Sequence, residues 1–391
     1  MKIKKGGFNM QTPKANESDI KPVKPERRYD IDWLRTIAVL LLFTYHTTRI
    51  FDDNQDFYIK NAIESANLTR IFIYSVSPWH MPLFFLLAGA STWFALRFRS
   101  GRMYTKERFK RLLIPLIFGL LVIVPPQTYI GLRSHSDFAG SFLQYYPNFF
   151  SFQFADPEGY FLGGFTVAHL WFIFYLFIFS LVALPFFLYL KGEAGQHLVD
   201  MLAAFFLRKG MILLAAVPLI VGSMLLDFYL NPFYYIIFFI YGYILMADAR
   251  FEEAVDRHRI VALILGPIFY TFVLIPLFAL RIITPEGLAL DLYKIGFLPL
   301  FWLITLLAYG RRFLGFTNRW LKYASEASYP FYTLHQTVIV VMGFYVVQWN
   351  AGVAVKFVTI VIGAFAVTTI LYDLLVKRTN VTRFLFGLKQ R

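Results

Sequence analysis

The 391-residue chain contains no cysteine. Disulfides, thiolate metal sites and a cysteine nucleophile are therefore excluded. Charge is scarce as well: Asp, Glu, Lys and Arg make up 16% of the residues, against about 25% in an average soluble domain. The sequence has no Gly-x-Ser-x-Gly elbow, no Walker loop and no dinucleotide fingerprint. With no His-x-x-x-His pair and no rich carboxylate set, no metal site is expected. Internal repeats and low-complexity tracts are lacking too. Residues 1–28 are polar and basic but have neither the apolar stretch nor the small-residue cleavage site of a signal peptide. They read as a disordered basic cytoplasmic tail.

What is present is apolar material in long runs. Hydrophobic residues make up 58% of the chain and aromatics 19%. Unbroken apolar runs of about 18 residues or more read as membrane spans, not as one-faced soluble helices. The pattern predicts an all-α polytopic bundle of about ten transmembrane helices, near residues 33–50, 71–96, 112–130, 166–190, 211–226, 232–246, 260–280, 288–309, 329–348 and 352–376. One transmembrane domain, residues 29–378, takes up nearly the whole chain, and a basic tail follows at 379–391. The fifth and sixth runs are short for a hydrocarbon core of about 30 Å.

A net charge of +14 raises the question of nucleic acid, but the basic residues lie between the apolar runs, so no nucleic-acid partner is expected. With the N-terminus inside, 30 of the 38 Lys and Arg fall in inner segments and 7 in outer ones, with Arg35 inside the first run. Lys and Arg gather on the cytoplasmic side of membrane proteins. Both termini are therefore expected in the cytoplasm, and one run more or fewer would spoil the alternation. The long outer loop, about 133–165, holds Asp137, Asp156 and Glu158 among many Phe and Tyr. It reads either as an interfacial aromatic belt or re-entrant segment, or as a lid whose rings stack on a sugar-like acceptor.

Arg35 and His46 stand on the first run, eleven residues apart. Eleven helical steps return to within roughly 20° of the starting direction and rise about 16 Å, so both share one face and are expected to line one internal channel that joins a donor side to an acceptor side. Ionisable groups inside a span are costly and face a bundle interior, a cavity or a partner. Asp32, three residues earlier, is a natural ion-pair partner for Arg35. The plain alternative is an Arg anchoring one interface and a His near the other. Arg108 and Arg111 follow the second run and point together on a helix, a geometry suited to phosphate oxygens, or simply a positive-inside cluster. Further histidines lie in the runs: His80 in Pro-Trp-His-Met, His169 in His-Leu-Trp-Phe beside Trp171, and His335 in Tyr-Pro-Phe-Tyr-Thr-Leu-His. The predicted spans put His46, His80 and His169 in the outer half and His335 in the inner half.

Together these residues resemble the membrane-bound acyltransferase-3 family. Its Arg, ten residues, His hallmark matches Arg35 and His46, with Asp32-Trp33-Leu34-Arg35 as the usual lead-in. Its Arg-x-x-Arg hallmark matches Arg108 and Arg111. Phe84-Phe85-Leu86-Leu87-Ala88-Gly89 is similar to its Phe-Phe-x-x-Ser-Gly run, with Ala88 in place of Ser, and the stretch ending in His335 resembles its C-terminal His motif. His-Leu-Trp-Phe and the closing Phe384-Leu385-Phe386-Gly387 look most like the glucan biosynthesis protein C branch.

The resemblance implies transfer of an acyl group, acetyl or succinyl, from cytoplasmic acyl-CoA to a hydroxyl of an extracytoplasmic, glucan-like glycan across an inner cell membrane. Acyl-CoA is then a co-substrate, the glycan and membrane lipid are the other partners, and no tightly bound cofactor is expected. Catalytic roles fall to His46, Arg35 and Asp32. Donor binding falls to Arg108, Arg111 and His335, and acceptor-side support to His80, His169 and Trp171. His46 is placed to act as general base, by direct attack or through a transient acyl-histidine. The rival reading is a secondary transporter or flippase, since intramembrane Arg, Asp and His also build transport paths. A non-catalytic scaffold leaves those residues unexplained.

Overall fold

A computed structural model describes residues 27–53, 57–62, 66–151, 164–226, 230–279, 282 and 288–390. Most of the basic N-terminal tail, together with Asp156 and Glu158, lies outside the described residues. Among the described residues every regular element is a helix. In chain order they are α1 (Tyr29–Thr48), α2 (Ala66–Phe98) and α3 (Gly101–His135). Next come α4 (Trp171–Val182), α5 (Leu184–Lys191), α6 (Glu193–Phe206), α7 (Ala216–Met224), α8 (Pro232–Ala247) and α9 (Ala249–Phe278). The chain closes with α10 (Leu290–Phe313), α11 (Arg319–Val346), α12 (Val353–Val376) and α13 (Asn380–Leu385).

Five of these, α2, α3, α9, α10 and α12, are long and apolar enough to cross a membrane on their own. The bent pair α4–α5 makes a sixth if it counts as one span. In the most apolar window of α9 and of α12 only 22% of residues are buried. Ile260, Ile264 and Phe272 on α9 and Val358, Ile362 and Ile370 on α12 instead face outward. An apolar exterior is what a hydrocarbon solvent selects, and the chain is a membrane protein. A helix stands at each of the ten expected runs, but α1 and α11 are too polar to meet that measure, and 211–224 and α8 are too short.

Side-chain caps start the helices sharply. Ser100 accepts the Met103 amide at 3.3 Å and opens α3 directly after α2. Asp248 accepts the Arg250 amide at 2.8 Å and turns α8 into α9. Asn318 accepts the Leu321 amide at 2.7 Å and opens α11. Such caps satisfy amides that the first turn leaves without a helical partner. The expected fourth span is broken: α4 and α5 meet at a 46° bend. α6 is amphipathic and buries Gly195, Val199 and Ala203, four residues apart along one stripe.

Two glycines set the tightest seam. A Cβ on Gly89 would come within 1.9 Å of the Phe239 carbonyl oxygen, and one on Gly242 within 1.8 Å of that of Leu86. α2 and α8 therefore meet backbone to backbone, as membrane helices do through small residues. α1 and α11 run side by side through the middle of the bundle. At the starts of both, Trp33 stacks on Trp320 at 5.2 Å, and the Trp33 Nε1–H donates to the Phe316 carbonyl at 2.9 Å. Arg28 pairs with Glu252 at the start of α9, and Arg311 at the end of α10 reaches the same carboxylate at 2.8 Å. Tyr323 on α11 donates to Asp373 on α12 at 3.1 Å. Both ends of the described chain thus gather at one face, the terminal face. The C-terminal segment docks there, with Arg383 on Glu326 at 2.7 Å and Phe386 against Phe118 at 5.3 Å.

Candidate functional site

On the opposite, distal half of the bundle lies a cavity of about 650 Å³. α1 gives it Tyr45, His46 and Arg49, and α2 gives Ser77 and His80. The turn into α4 gives His169 and Trp171, and α11 gives Tyr332 and Gln336. A site shared by four elements is held only by the folded bundle.

The backbone assigns the histidine tautomers, because a ring nitrogen facing a carbonyl oxygen must carry a proton. His80 Nε2 donates to the Ala38 carbonyl at 2.8 Å, and His169 Nε2 to the Thr333 carbonyl at 2.9 Å. The other nitrogen of His169, Nδ1, accepts from the Gln127 amide at 3.4 Å. His335 Nδ1 donates to the Tyr332 carbonyl at 2.6 Å, with the Phe331 carbonyl at 3.2 Å. Tyr332 donates its hydroxyl to the His169 carbonyl and so ties α11 to the turn before α4. His46 is the exception: it makes no such bond, and its Nδ1 is buried without a partner in the protein. Among the described residues no three His, Asp or Glu side chains are arranged to hold a metal ion.

The structure corrects two expectations. His335 is not in the inner half, near Arg108 and Arg111, where the expected run put it. Its ring centre is 5.1 Å from that of His46 and 5.2 Å from that of His169. The cause is the true start of its helix. α11 begins at Arg319, ten residues before the expected run, so His335 stands about 24 Å along it. His46 stands about 26 Å along α1, which starts at the same face. The second correction concerns Arg35, which shares a face with His46 but does not line the cavity. Ala38, Val39 and Leu42 fill the stretch between them and are all buried.

Arg35 belongs to the terminal half. Its Nη2 donates to Ser91 at 2.8 Å, and its Nη1 lies 3.4 Å from Asp32, which Arg27 also holds at 2.8 Å. Next to Ser91, Thr92 shares a hydrogen bond of 3.1 Å with the Tyr104 hydroxyl. The Arg108 guanidinium lies over the Tyr104 ring at 4.6 Å, with its Nε buried and unpartnered. Arg111 differs. It is 45% exposed and pairs with Glu107 at 3.1 Å, a carboxylate that Arg99 also reaches at 3.0 Å. Of these two arginines, Arg108 therefore has no acidic partner among the described residues, and Arg111 is half neutralised.

Trp171 opens α4, lines the cavity and packs against Tyr235 at 5.2 Å. The aromatic loop is mostly packing where it is described: Tyr145 and Phe149 are buried, and Tyr145 bonds Thr128 at 2.6 Å. Residues 152–163 of that loop lie outside the described residues. Four contributors were missed from the sequence: Gln127, Tyr332, Arg49 and Ser91. Gln127 carried a signal, as a lone amide in the apolar third run. Arg49 stands one turn beyond His46, where it reads as an interfacial anchor.

The comparisons with known proteins bear on the chain as a whole. A family model described as an acyltransferase domain matches residues 28–374, from the start of α1 nearly to the end of α12. No curated protein and no solved structure matches the chain. The match spans α1 with Arg35 and His46, the arginines after α2 and the histidine segment of α11, so the chain belongs to acyltransferase family 3 and is a membrane O-acyltransferase.

Proposed function

We propose that this acyltransferase takes its acyl group from acyl-CoA at the terminal face and passes it to a glycan hydroxyl in the distal cavity. In this reading ten helices span an inner cell membrane and both termini are cytoplasmic, as the asymmetry of Lys and Arg requires. The observation that carries the proposal is His46: an imidazole on the cavity wall with no hydrogen bond to the protein.

The chemistry follows from that position. His46 Nε2 removes the proton of the acceptor hydroxyl as its oxygen attacks the thioester carbonyl. The C–O bond forms and the C–S bond breaks. The imidazolium returns the proton to the departing sulfur, giving the ester and free CoA thiol. Arg108 suits the CoA phosphates, since a guanidinium binds them in charge-assisted pairs. Trp171 and Tyr235 offer ring faces to an acceptor with sugar character. The branch resemblance favours a glucan and a succinyl group, with acetyl as the alternative.

Ala38, Val39 and Leu42 lie buried between Arg35 and His46, with Leu42 on the cavity wall and Val39 on that of a second cavity. An acyl arm reaching His46 from the terminal face would pass this stretch, and a gating movement of α1 of a familiar kind would open it.

Proteoliposomes of known protein orientation test the sidedness. Label from acetyl-CoA or succinyl-CoA should reach a glucan oligosaccharide only with the donor on the terminal face and the acceptor on the other. Equal transfer with both on one side would overturn the transmembrane reading. An acyl-protein released by hydroxylamine would move the mechanism to an acyl-histidine.

A further inference from the structure

The structure assigns His335 a task that its place on α11 did not suggest: it is the positioning residue that holds His46 in the tautomer a general base needs. The inference rests on the reading of His46 as the base.

Two facts about buried atoms carry it. His335 is fully buried, and its Nδ1 faces the Tyr332 and Phe331 carbonyls at 2.6 and 3.2 Å. Carbonyls only accept, so Nδ1 carries the proton and Nε2 is left as an acceptor. That Nε2 is buried with no partner in the protein. His46 Nδ1 is in the same condition. A buried polar atom with nothing to bond is costly, and two of them occur on neighbouring rings whose centres are 5.1 Å apart. An imidazole nitrogen lies about 1.1 Å from its ring centre, so rings turned nitrogen to nitrogen at that separation would bring the two atoms to about 2.9 Å, within hydrogen-bond range, although the two are not bonded in this form.

The other ring beside His335 cannot serve. His169 has its proton on Nε2, committed to the Thr333 carbonyl at 2.9 Å, and its Nδ1 is itself an acceptor for Gln127. His46 is the neighbouring ring with a proton to give. A ring adjustment within the cavity wall pairs His46 Nδ1–H with His335 Nε2.

The consequence is chemical. With the proton on Nδ1, the lone pair of His46 is on Nε2, the nitrogen proposed to take the acceptor's proton. When His46 becomes an imidazolium, the same bond to a neutral acceptor steadies it. His335 itself neither gains nor loses a proton. The Tyr332 carbonyl locks His335, and His335 locks His46, as orienting partners do for other catalytic histidines.

Two conservative substitutions separate this task from mere packing. His335→Asn keeps an amide N–H where Nδ1 donates to the Tyr332 carbonyl, but it is too short to reach His46. His335→Gln keeps an oxygen where Nε2 accepts from His46 and loses the short link to the carbonyl. The inference expects His335→Asn to lower kcat by about 100-fold and His335→Gln by less than about tenfold, with KM for acetyl-CoA or succinyl-CoA and for a glucan oligosaccharide nearly unchanged. Adding His335→Asn to His46→Ala should cost nothing further, because members of one unit are not additive.

The opposite ranking, with Asn near wild type and Gln impaired, would overturn the inference and leave His335 as a helix-packing residue. So would equal loss in both variants. The outcomes also separate the two claims. An active His46→Ala enzyme sinks the general-base reading and this inference with it. An inactive His46→Ala beside a fully active His335→Asn sinks the positioning role alone. Thermal unfolding of each variant in detergent identifies any loss that comes from the fold.

Discussion

The histidine cavity and the arginine cluster both draw on α1 yet are built by different rules. Around the cavity, His80, His169 and His335 each give a ring nitrogen to a backbone carbonyl at 2.6–2.9 Å. Those carbonyls belong to α1 and α11, so moving one ring means moving a helix. At the terminal half the arginines share carboxylates instead: Asp32 is held by Arg27 and Arg35, and Glu107 by Arg99 and Arg111. One guanidinium can leave such a shared carboxylate without stranding its charge. A proton-transfer site needs fixed angles, whereas a site that captures and releases a polyphosphate donor needs charge that can let go. In the proposed reading the chemical step falls to the distal half and the donor affinity to the terminal half.

The assignment breaks most visibly at His46. His46→Ala should lower kcat by about three orders of magnitude, the middle of what a general base supplies, and leave KM for acyl-CoA unchanged. Label transfer in membranes, together with a folding control, measures it. A large change in KM with kcat preserved would put His46 on the binding side and erase the division.

Gly242 sharpens the comparison from outside both halves. Gly242→Ala pushes a methyl into the Leu86 carbonyl, where a Cβ would stand only 1.8 Å away. Overpacking of this kind costs about 1–3 kcal/mol, so the variant should unfold at lower temperature and lower the yield of folded protein. Whatever fraction stays folded should keep its donor KM. A normal melting curve would show that the α2–α8 seam is looser than the backbone contact implies.

Arg108 and Arg111 test the terminal half against itself. Arg108 has no acidic partner among the described residues, whereas Arg111 is half exposed and held by Glu107 at 3.1 Å. A charge-assisted hydrogen bond contributes about 1.5–3 kcal/mol, so Arg108→Ala should raise KM for acyl-CoA by about 10- to 100-fold with kcat little changed. Arg111→Ala should raise it by only about two- to threefold, as for a screened surface charge. Equal effects would mean that the motif acts as one cluster.

Much of this was legible in the sequence. The helical class, the apolar runs and the pairing of Arg35 with Asp32 all follow from spacing. The meeting of His46 with His335 was not legible, because it depends on where α11 begins. Apolar periodicity locates the middle of a helix better than its polar first turns, and the Asn318 cap sits in a stretch that looks like loop. Polarity also hid α1 and α11 from the length-and-apolarity measure. The two helices that carry His46 and His335 are thus less membrane-like than α2 and α3, because their polar groups are satisfied inside the bundle and not by lipid. The burial of Val39 and Leu42 between Arg35 and His46 was invisible for the opposite reason: it is ordinary apolar sequence, and only the packed structure shows what surrounds it.

The smallest expected effect comes from the turn that delivers His169. Ala168 has φ of 46°, the left-handed region, although it is not glycine. A Cβ there costs roughly 1–2 kcal/mol. The conformation is held from both sides: the Ala168 amide donates to Thr166 Oγ1 at 3.0 Å, and Tyr332 bonds the His169 carbonyl. Glycine takes this conformation freely but loses more freedom on folding, so Ala168→Gly should stabilise the protein by about 0.5–1 kcal/mol, seen as a slightly higher unfolding temperature. If the strain helps press His169 against α11, the same variant should lower kcat by about two- to threefold while donor KM stays fixed, the trade expected when strain is stored at a functional site. A gain in both stability and kcat would mean that the turn is merely tolerated, and the rigidity of the distal half would then rest on its hydrogen bonds to α1 and α11 alone.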